Sequence, residues 1–153
     1  MRRRGFLARV LALATSPLAL IATRRARAQA ALEAIVPAIR DTVKGAEVKP
    51  GKIKLQIPRL ADNGNSVAVK LTVESPMTES DYVRGIYLFS EKNPRPVIAR
   101  FHLAPETGRA EVTTRIRLAG TQRVVAIAEL SDGSFWSDVE EVAVTLSACL
   151  DGT

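Results

Sequence analysis

From Lys52 onward apolar residues fall at every second position, and a period of two sustained over most of a chain excludes a helical body. Ile53, Leu55 and Ile57 alternate with Lys54 and Gln56, while Val67, Val69, Leu71 and Val73 alternate with Ala68, Lys70, Thr72 and Glu74. Such alternation puts one row of side chains on each face, so both segments read as half-buried strands. Further strands are expected over Tyr82–Ser90, Val97–Leu103, Ala110–Leu118, Arg123–Leu130 and Phe135–Leu146. Turn signals separate them at Asp62-Asn63-Gly64-Asn65, Ser75-Pro76, Asn93-Pro94-Arg95-Pro96, Pro105 to Gly108, Gly120 and Asp132-Gly133. Val124-Val125-Ala126-Ile127-Ala128 is apolar on both faces and suits a central strand, whereas Thr113, Arg115 and Arg117 give their strand one face toward water. Short strands at regular spacing without interleaved helices predict an all-β fold, an immunoglobulin-like antiparallel β-sandwich of about seven strands.

One segment before the sandwich keeps a helical period. Leu32, Ile35, Val36, Ile39 and Val43 line one face of a short N-terminal helix over about residues 31–44, and Gly45 offers its stop. The helix is expected to pack against or beside the sheet. With the sandwich it makes one domain, residues 29–146, followed by a flexible C-terminal arm, residues 147–153. That size buries a sufficient core without disulfides.

Residues 1–28 read as a cleaved export signal. A basic start, Met1-Arg2-Arg3-Arg4-Gly5-Phe6-Leu7, precedes an apolar run from Val10 to Thr23 and then Ala26-Arg27-Ala28, a small-x-small cleavage site. The run is shorter than the roughly 20 residues a membrane-spanning helix needs, so no membrane span is expected after cleavage. Arg3-Arg4-Gly5-Phe6-Leu7 matches the core of a twin-arginine signal, which transports folded protein to the periplasm.

Removing the signal changes the charge. The net charge of +6 includes seven arginines in residues 1–28, and the remainder carries 15 basic against 16 acidic residues, net −1. Nucleic-acid binding needs a clustered basic surface, and only Lys44, Lys49, Lys52 and Lys54 approach one; they read as a solvated face. Catalytic constellations are equally sparse. The single histidine, His102, lies in a strand pattern with no other ligand at metal-site spacing, and neither a phosphate loop nor a nucleophile elbow is present. Glu140-Glu141 reads as solvation, and Phe135-Trp136 as one core and one surface or interface aromatic. No catalytic residue, metal or separate cofactor is expected. A partner interface is expected on a sheet face exposing apolar residues such as Ile98 or Tyr87.

The remaining candidate is Cys149, the sole cysteine, which follows the last strand in Ser147-Ala148-Cys149-Leu150-Asp151-Gly152-Thr153. An unpaired cysteine in an exported protein is a reactive thiol, an intermolecular link or an inert residue, and the residues alone leave these open. An ordinary thiol titrates at about 8.5, so an exposed one is a modest nucleophile, better suited to carrying a group than to catalysis.

Several segments together resemble one family. Ser75-Pro76-Met77-Thr78-Glu79-Ser80-Asp81-Tyr82-Val83, Ile86 to Pro94, Phe101 to Leu103, Gly108 to Leu118 and Ser131-Asp132-Gly133-Ser134-Phe135-Trp136 are similar, in order, to SoxY, the sulfur-carrier subunit of the thiosulfate-oxidising Sox system. The resemblance implies a periplasmic, non-catalytic subunit that forms a heterodimer with a smaller β-rich subunit, SoxZ. It implies a sulfur intermediate held covalently on Cys149 and served by separate Sox-type enzymes. Members typically end in Gly-Gly-Cys-Gly-Gly, a slim strip because glycine has no side chain. Here Ser147, Ala148, Leu150 and Asp151 flank the cysteine instead, and the tail resembles a variant class ending in Ala-Ala-Cys-Ile-Glu. Asp151 disfavours a neighbouring thiolate and repels an anionic cargo. The alternative from another class is a β-sandwich binding or assembly module whose cysteine carries a different group or forms an intermolecular disulfide; an autonomous hydrolase or oxidoreductase lacks any second catalytic group.

Overall fold

The computed structural model describes residues 35–148. The expected signal at 1–28, the first residues of the expected helix, and Cys149, Leu150 and Asp151 lie outside the described residues. Residues 35–43 form a helix, α1, which stops at Gly45; its φ of +78° suits glycine, and its N–H bonds the Arg40 carbonyl at 3.1 Å. Nine strands follow: β1 (Val48–Pro50), β2 (Ile53–Gln56), β3 (Leu60–Asn63), β4 (Val67–Val73), β5 (Val83–Ser90), β6 (Val97–His102), β7 (Glu111–Ile116), β8 (Gln122–Leu130) and β9 (Phe135–Leu146). A 3-10 turn, Pro105–Thr107, links β6 to β7.

The strands make two layers. The larger sheet runs β1-β9-β8-β5-β6, with β3 also on β9, and the smaller runs β2-β4-β7. Seven strands coincide with those expected from alternation. The other two, β1 and β3, carry too few residues to show a period, and the first half of the expected Asp62–Asn65 turn belongs to β3. Both run parallel to β9, Val48–Pro50 against Phe135–Ser137 and Leu60–Asn63 against Ala143–Leu146, which adds two parallel pairings to an otherwise antiparallel sandwich.

The sandwich has two hydrophobic layers because β5 and β8 are buried on both faces. Ile86, Leu88, Val124, Ala126 and Ala128 face the smaller sheet and meet Leu55, Val69 and Leu71. Tyr87, Phe89, Val125, Ile127 and Phe135 face the other way and are covered by Ile35 and Val43 of α1, with Ala38 and Ile39 beside them. Two expectations change here. Val36, assigned to the buried helical face, is 42% exposed, and Ala38 takes part in the contact instead. Tyr87, expected on an exposed face, is buried because α1 closes that face. Among the described residues no helix is long and apolar enough to cross a membrane.

Candidate functional site

The described chain ends at Ala148, so the site is built from the residues that hold the root of the expected arm. Ala148 was assigned to that arm, yet it is 3% exposed, and its N–H donates to the Leu118 carbonyl at 3.0 Å. Leu118 N–H donates to the Gly64 carbonyl at 2.8 Å, and Gly64 N–H to the Leu146 carbonyl at 2.7 Å. Three segments distant in sequence are thereby laced backbone to backbone. Gly64 is required by this lacing, since a Cβ there would stand 2.3 Å from the Leu118 oxygen and 2.8 Å from the Ala148 nitrogen. The packed body therefore extends through Ala148, whereas Ser147 is exposed.

Ala148 also lines a groove of about 710 Å³ between the free edges of β6 and β7. Val97, Ile98 and Phe101 supply apolar wall from β6, and Ile116 supplies it from β7. Ile98, expected at an interface, is half-buried here. Arg95, Arg115 and Arg117 are among the residues that line the groove, and no Asp or Glu is among them. Arg115 donates to Ser66 Oγ at 3.2 Å; Arg95 and Arg117 are exposed and have no ion-pair partner among the described residues.

A polar network fixes the groove's end. Asn93 Nδ2 donates to the Arg117 carbonyl at 2.8 Å, and its Oδ1 accepts from Ala119 N at 2.9 Å and from Gln122 Nε2 at 3.1 Å. The Gln122 oxygen accepts Lys92 N–H at 2.8 Å, so this buried side chain satisfies both ends of its amide. Glu91 receives Arg123 Nε at 2.7 Å on one oxygen and Arg123 N–H at 3.0 Å on the other. The β5–β6 loop is thus tied to the β7–β8 turn, holding the backbone of Arg117 in place.

The other candidates lie elsewhere. His102 is exposed on edge strand β6, its ring edge-to-face with Tyr87 at 6.4 Å. The Tyr87 hydroxyl donates to Glu129 Oε2 at 2.8 Å; burial first, then this bond beside a carboxylate, pushes its pKa up to about 12. Phe135 is buried, while Trp136 is half-buried beneath Lys52 at 4.8 Å and Lys49 at 5.9 Å, a cation–π stack. Among the described residues no three His, Cys, Asp or Glu side chains form a metal-binding group. Sequence reasoning missed Gly64, Asn93 and the groove that Arg95, Arg115 and Arg117 help to line. The alternation of Arg115 and Arg117 on one strand face was the available signal, but their meeting with Arg95 and Ala148 depends on topology.

The comparisons with known proteins agree with this architecture. The SoxY family, described as sulfur oxidation protein SoxY, matches residues 39–149, a span whose last residue is Cys149. The sulfur carrier protein SoxY from Chlorobium limicola f thiosulfatophilum superposes with a TM-score of 0.62 at 26% identity, covering 75% of this chain and 99% of its own. A superoxide reductase (neelaredoxin) from Ignicoccus hospitalis gives 0.54 at 20% identity over 61% of this chain and 80% of its own, a likeness of fold alone. No curated protein matches the sequence. A family match across most of the sandwich, together with the shared architecture, means that this chain belongs to the SoxY family.

Proposed function

We propose that this chain is a periplasmic sulfur carrier that holds a sulfur intermediate covalently on Cys149 and presents it to separate enzymes of thiosulfate or reduced-sulfur oxidation. The observation that carries this reading is the family match ending on the sole cysteine, one residue beyond the root bonded to Leu118. An arm serves a carrier best when its root is fixed to the body, as Ala148 is here. Residues 1–28 act as a twin-arginine signal, removed on export, and a SoxZ-like β-sandwich subunit completes a heterodimer. The carrier performs no turnover alone.

In the loading step a partner enzyme joins the Cys149 thiolate to the terminal sulfur of thiosulfate, forming an S–S bond and passing two electrons to that enzyme's redox centre. Water then cleaves the bond to the sulfonate sulfur, releasing sulfate and two protons and leaving a persulfide on Cys149. Both steps need groups outside this chain.

Intact-mass spectrometry of the protein purified from cells oxidising reduced sulfur tests the proposal. The expected result is a mass increment on the C-terminal peptide that reductant removes and that Cys149→Ser abolishes. Unmodified thiol in such cells, or a stable Cys149-linked dimer on non-reducing electrophoresis, overturns it in favour of an assembly module.

A further inference from the structure

We infer that Asn63 is a site of spontaneous deamidation, held silent by the same backbone lacing that fixes Ala148, so that opening of the lacing and conversion of Asn63 are coupled. The chain has three asparagines, and Asn63 alone precedes glycine. Asn65 precedes Ser66, and Asn93 precedes Pro94, whose nitrogen has no proton to give up. Deamidation requires the backbone nitrogen of the next residue to reach the side-chain carbonyl carbon. Glycine, lacking a side chain, obstructs that approach least.

The two reacting groups are held in opposite states. The electrophile is exposed and polarised: Asn63 Oδ1 accepts Asn65 N–H at 2.9 Å and Asn65 Nδ2 at 3.0 Å, which draws electron density from the carbonyl carbon. The nucleophile is latched. Gly64 is buried, its N–H is committed to the Leu146 carbonyl at 2.7 Å, and its own carbonyl accepts Leu118 N–H at 2.8 Å. The Thr145 hydroxyl adds a clasp, donating to the carbonyls of Asp62 at 3.1 Å and Ala61 at 3.3 Å. Freeing the Gly64 amide therefore requires the end of β3 to leave β9, the same opening that exposes this amide to hydrogen exchange.

Once free, the Gly64 nitrogen loses its proton and bonds to Asn63 Cγ; the Cγ–Nδ2 bond breaks, and the nitrogen departs as ammonia with that proton, leaving a succinimide. Water then opens either ring C–N bond to give aspartate or isoaspartate at position 63, with no oxidant or cofactor consumed. Isoaspartate adds one methylene to the main chain. The site has no slack for it, because even a Cβ on Gly64 would stand 2.3 Å from the Leu118 oxygen. Conversion therefore unlaces Gly64 from Leu118 and Leu146 and loosens Ala148.

Peptide-resolved mass spectrometry of the mature protein, incubated at mildly alkaline pH, tests the coupling. Asn63 is expected to convert about tenfold or more slowly in the folded protein than in the same protein held unfolded in guanidinium chloride. Thr145→Val keeps the side-chain shape and removes the clasp. It is expected to raise Gly64 amide exchange and Asn63 conversion together, each about threefold, with the denaturation midpoint near that of wild type. Protein already converted to isoaspartate at position 63 is expected to exchange its Ala148 amide faster than unconverted protein. Equal conversion rates in the folded and unfolded states, a Thr145→Val protein that exchanges faster without converting faster, or a converted protein with an unchanged Ala148 amide would each overturn the inference.

Discussion

The two long edges of the sandwich are finished in opposite ways. On the β9 side the edge is closed by backbone: β1 pairs with its first residues and β3 with its last, and between them Asp138 Oδ2 accepts Leu55 N–H at 2.8 Å, stitching the larger sheet to the smaller. On the other side β6 and β7 have no further strand among the described residues; they diverge to leave a groove whose wall carries arginines. A sheet edge with unpaired N–H and C=O groups is normally a liability, and charged side chains are one device that blocks unwanted pairing. Here the closed edge does the work of stability, which leaves the open edge available for recognition. The arm root lies where the two meet, since Gly64 follows β3 and Leu118 follows β7.

That meeting point gives the largest expected effect. Gly64→Ala puts a methyl group into backbone atoms of Leu118 and Ala148, neither of which can swing aside as a side chain would. We expect a loss of about 3 kcal/mol in urea unfolding, with faster hydrogen exchange at the Ala148 amide than at central β8. Full stability with an unchanged Ala148 amide would break the view that the root is laced to both edges. A smaller effect follows at the closed edge. Asp138→Ala strands the N–H of Leu55, a residue only 2% exposed, and is expected to cost about 2 kcal/mol. Arg117→Gln, on the open edge, should stay within about 0.5 kcal/mol of the wild type. Equal losses for the two substitutions would erase the contrast between the edges.

The same contrast explains what was legible in the sequence. β4, β5, β8 and β9 show long alternating or apolar runs, because a strand buried against a core writes its environment into every second residue. β1 and β3 write nothing comparable, since their role is to offer backbone groups to β9, and almost any residue supplies those. Tyr87 was misread because alternation tells which residues share a face, not whether a helix covers it. For the site, Cys149 stood out by its uniqueness. The groove did not, because Arg95 sits in a loop, Arg115 on β7, Arg117 just after it and Ala148 in the tail, and their proximity arises from sheet order. Gly64 looked like an ordinary turn glycine; its close contacts involve residues 54 and 84 positions further along.

A modest effect concerns the outer face of the open half, where Tyr87 spans from β5 to Glu129 of β8 and to His102 of edge strand β6. Replacing the hydroxyl by Tyr87→Phe removes one bond to a carboxylate and is expected to cost about 1 kcal/mol near neutral pH. The pH dependence is the sharper test. Burial and Glu129 raise the folded pKa from the ordinary 10.0 to about 12, with Arg100 partly opposing them, so between those values the folded chain keeps a proton the unfolded chain has released. The folded state then binds more protons, and its stability falls as pH rises through that window; below pH 10 this group contributes no slope. Other groups titrate there too, so the quantity to measure is the difference between wild type and Tyr87→Phe. The variant should be the less stable at pH 8, with the gap narrowing above pH 10 as wild type alone loses the phenol's contribution. A gap constant up to pH 12 would mean that the phenol is not held by Glu129, and that the outer face beside the open edge is looser than the inner core.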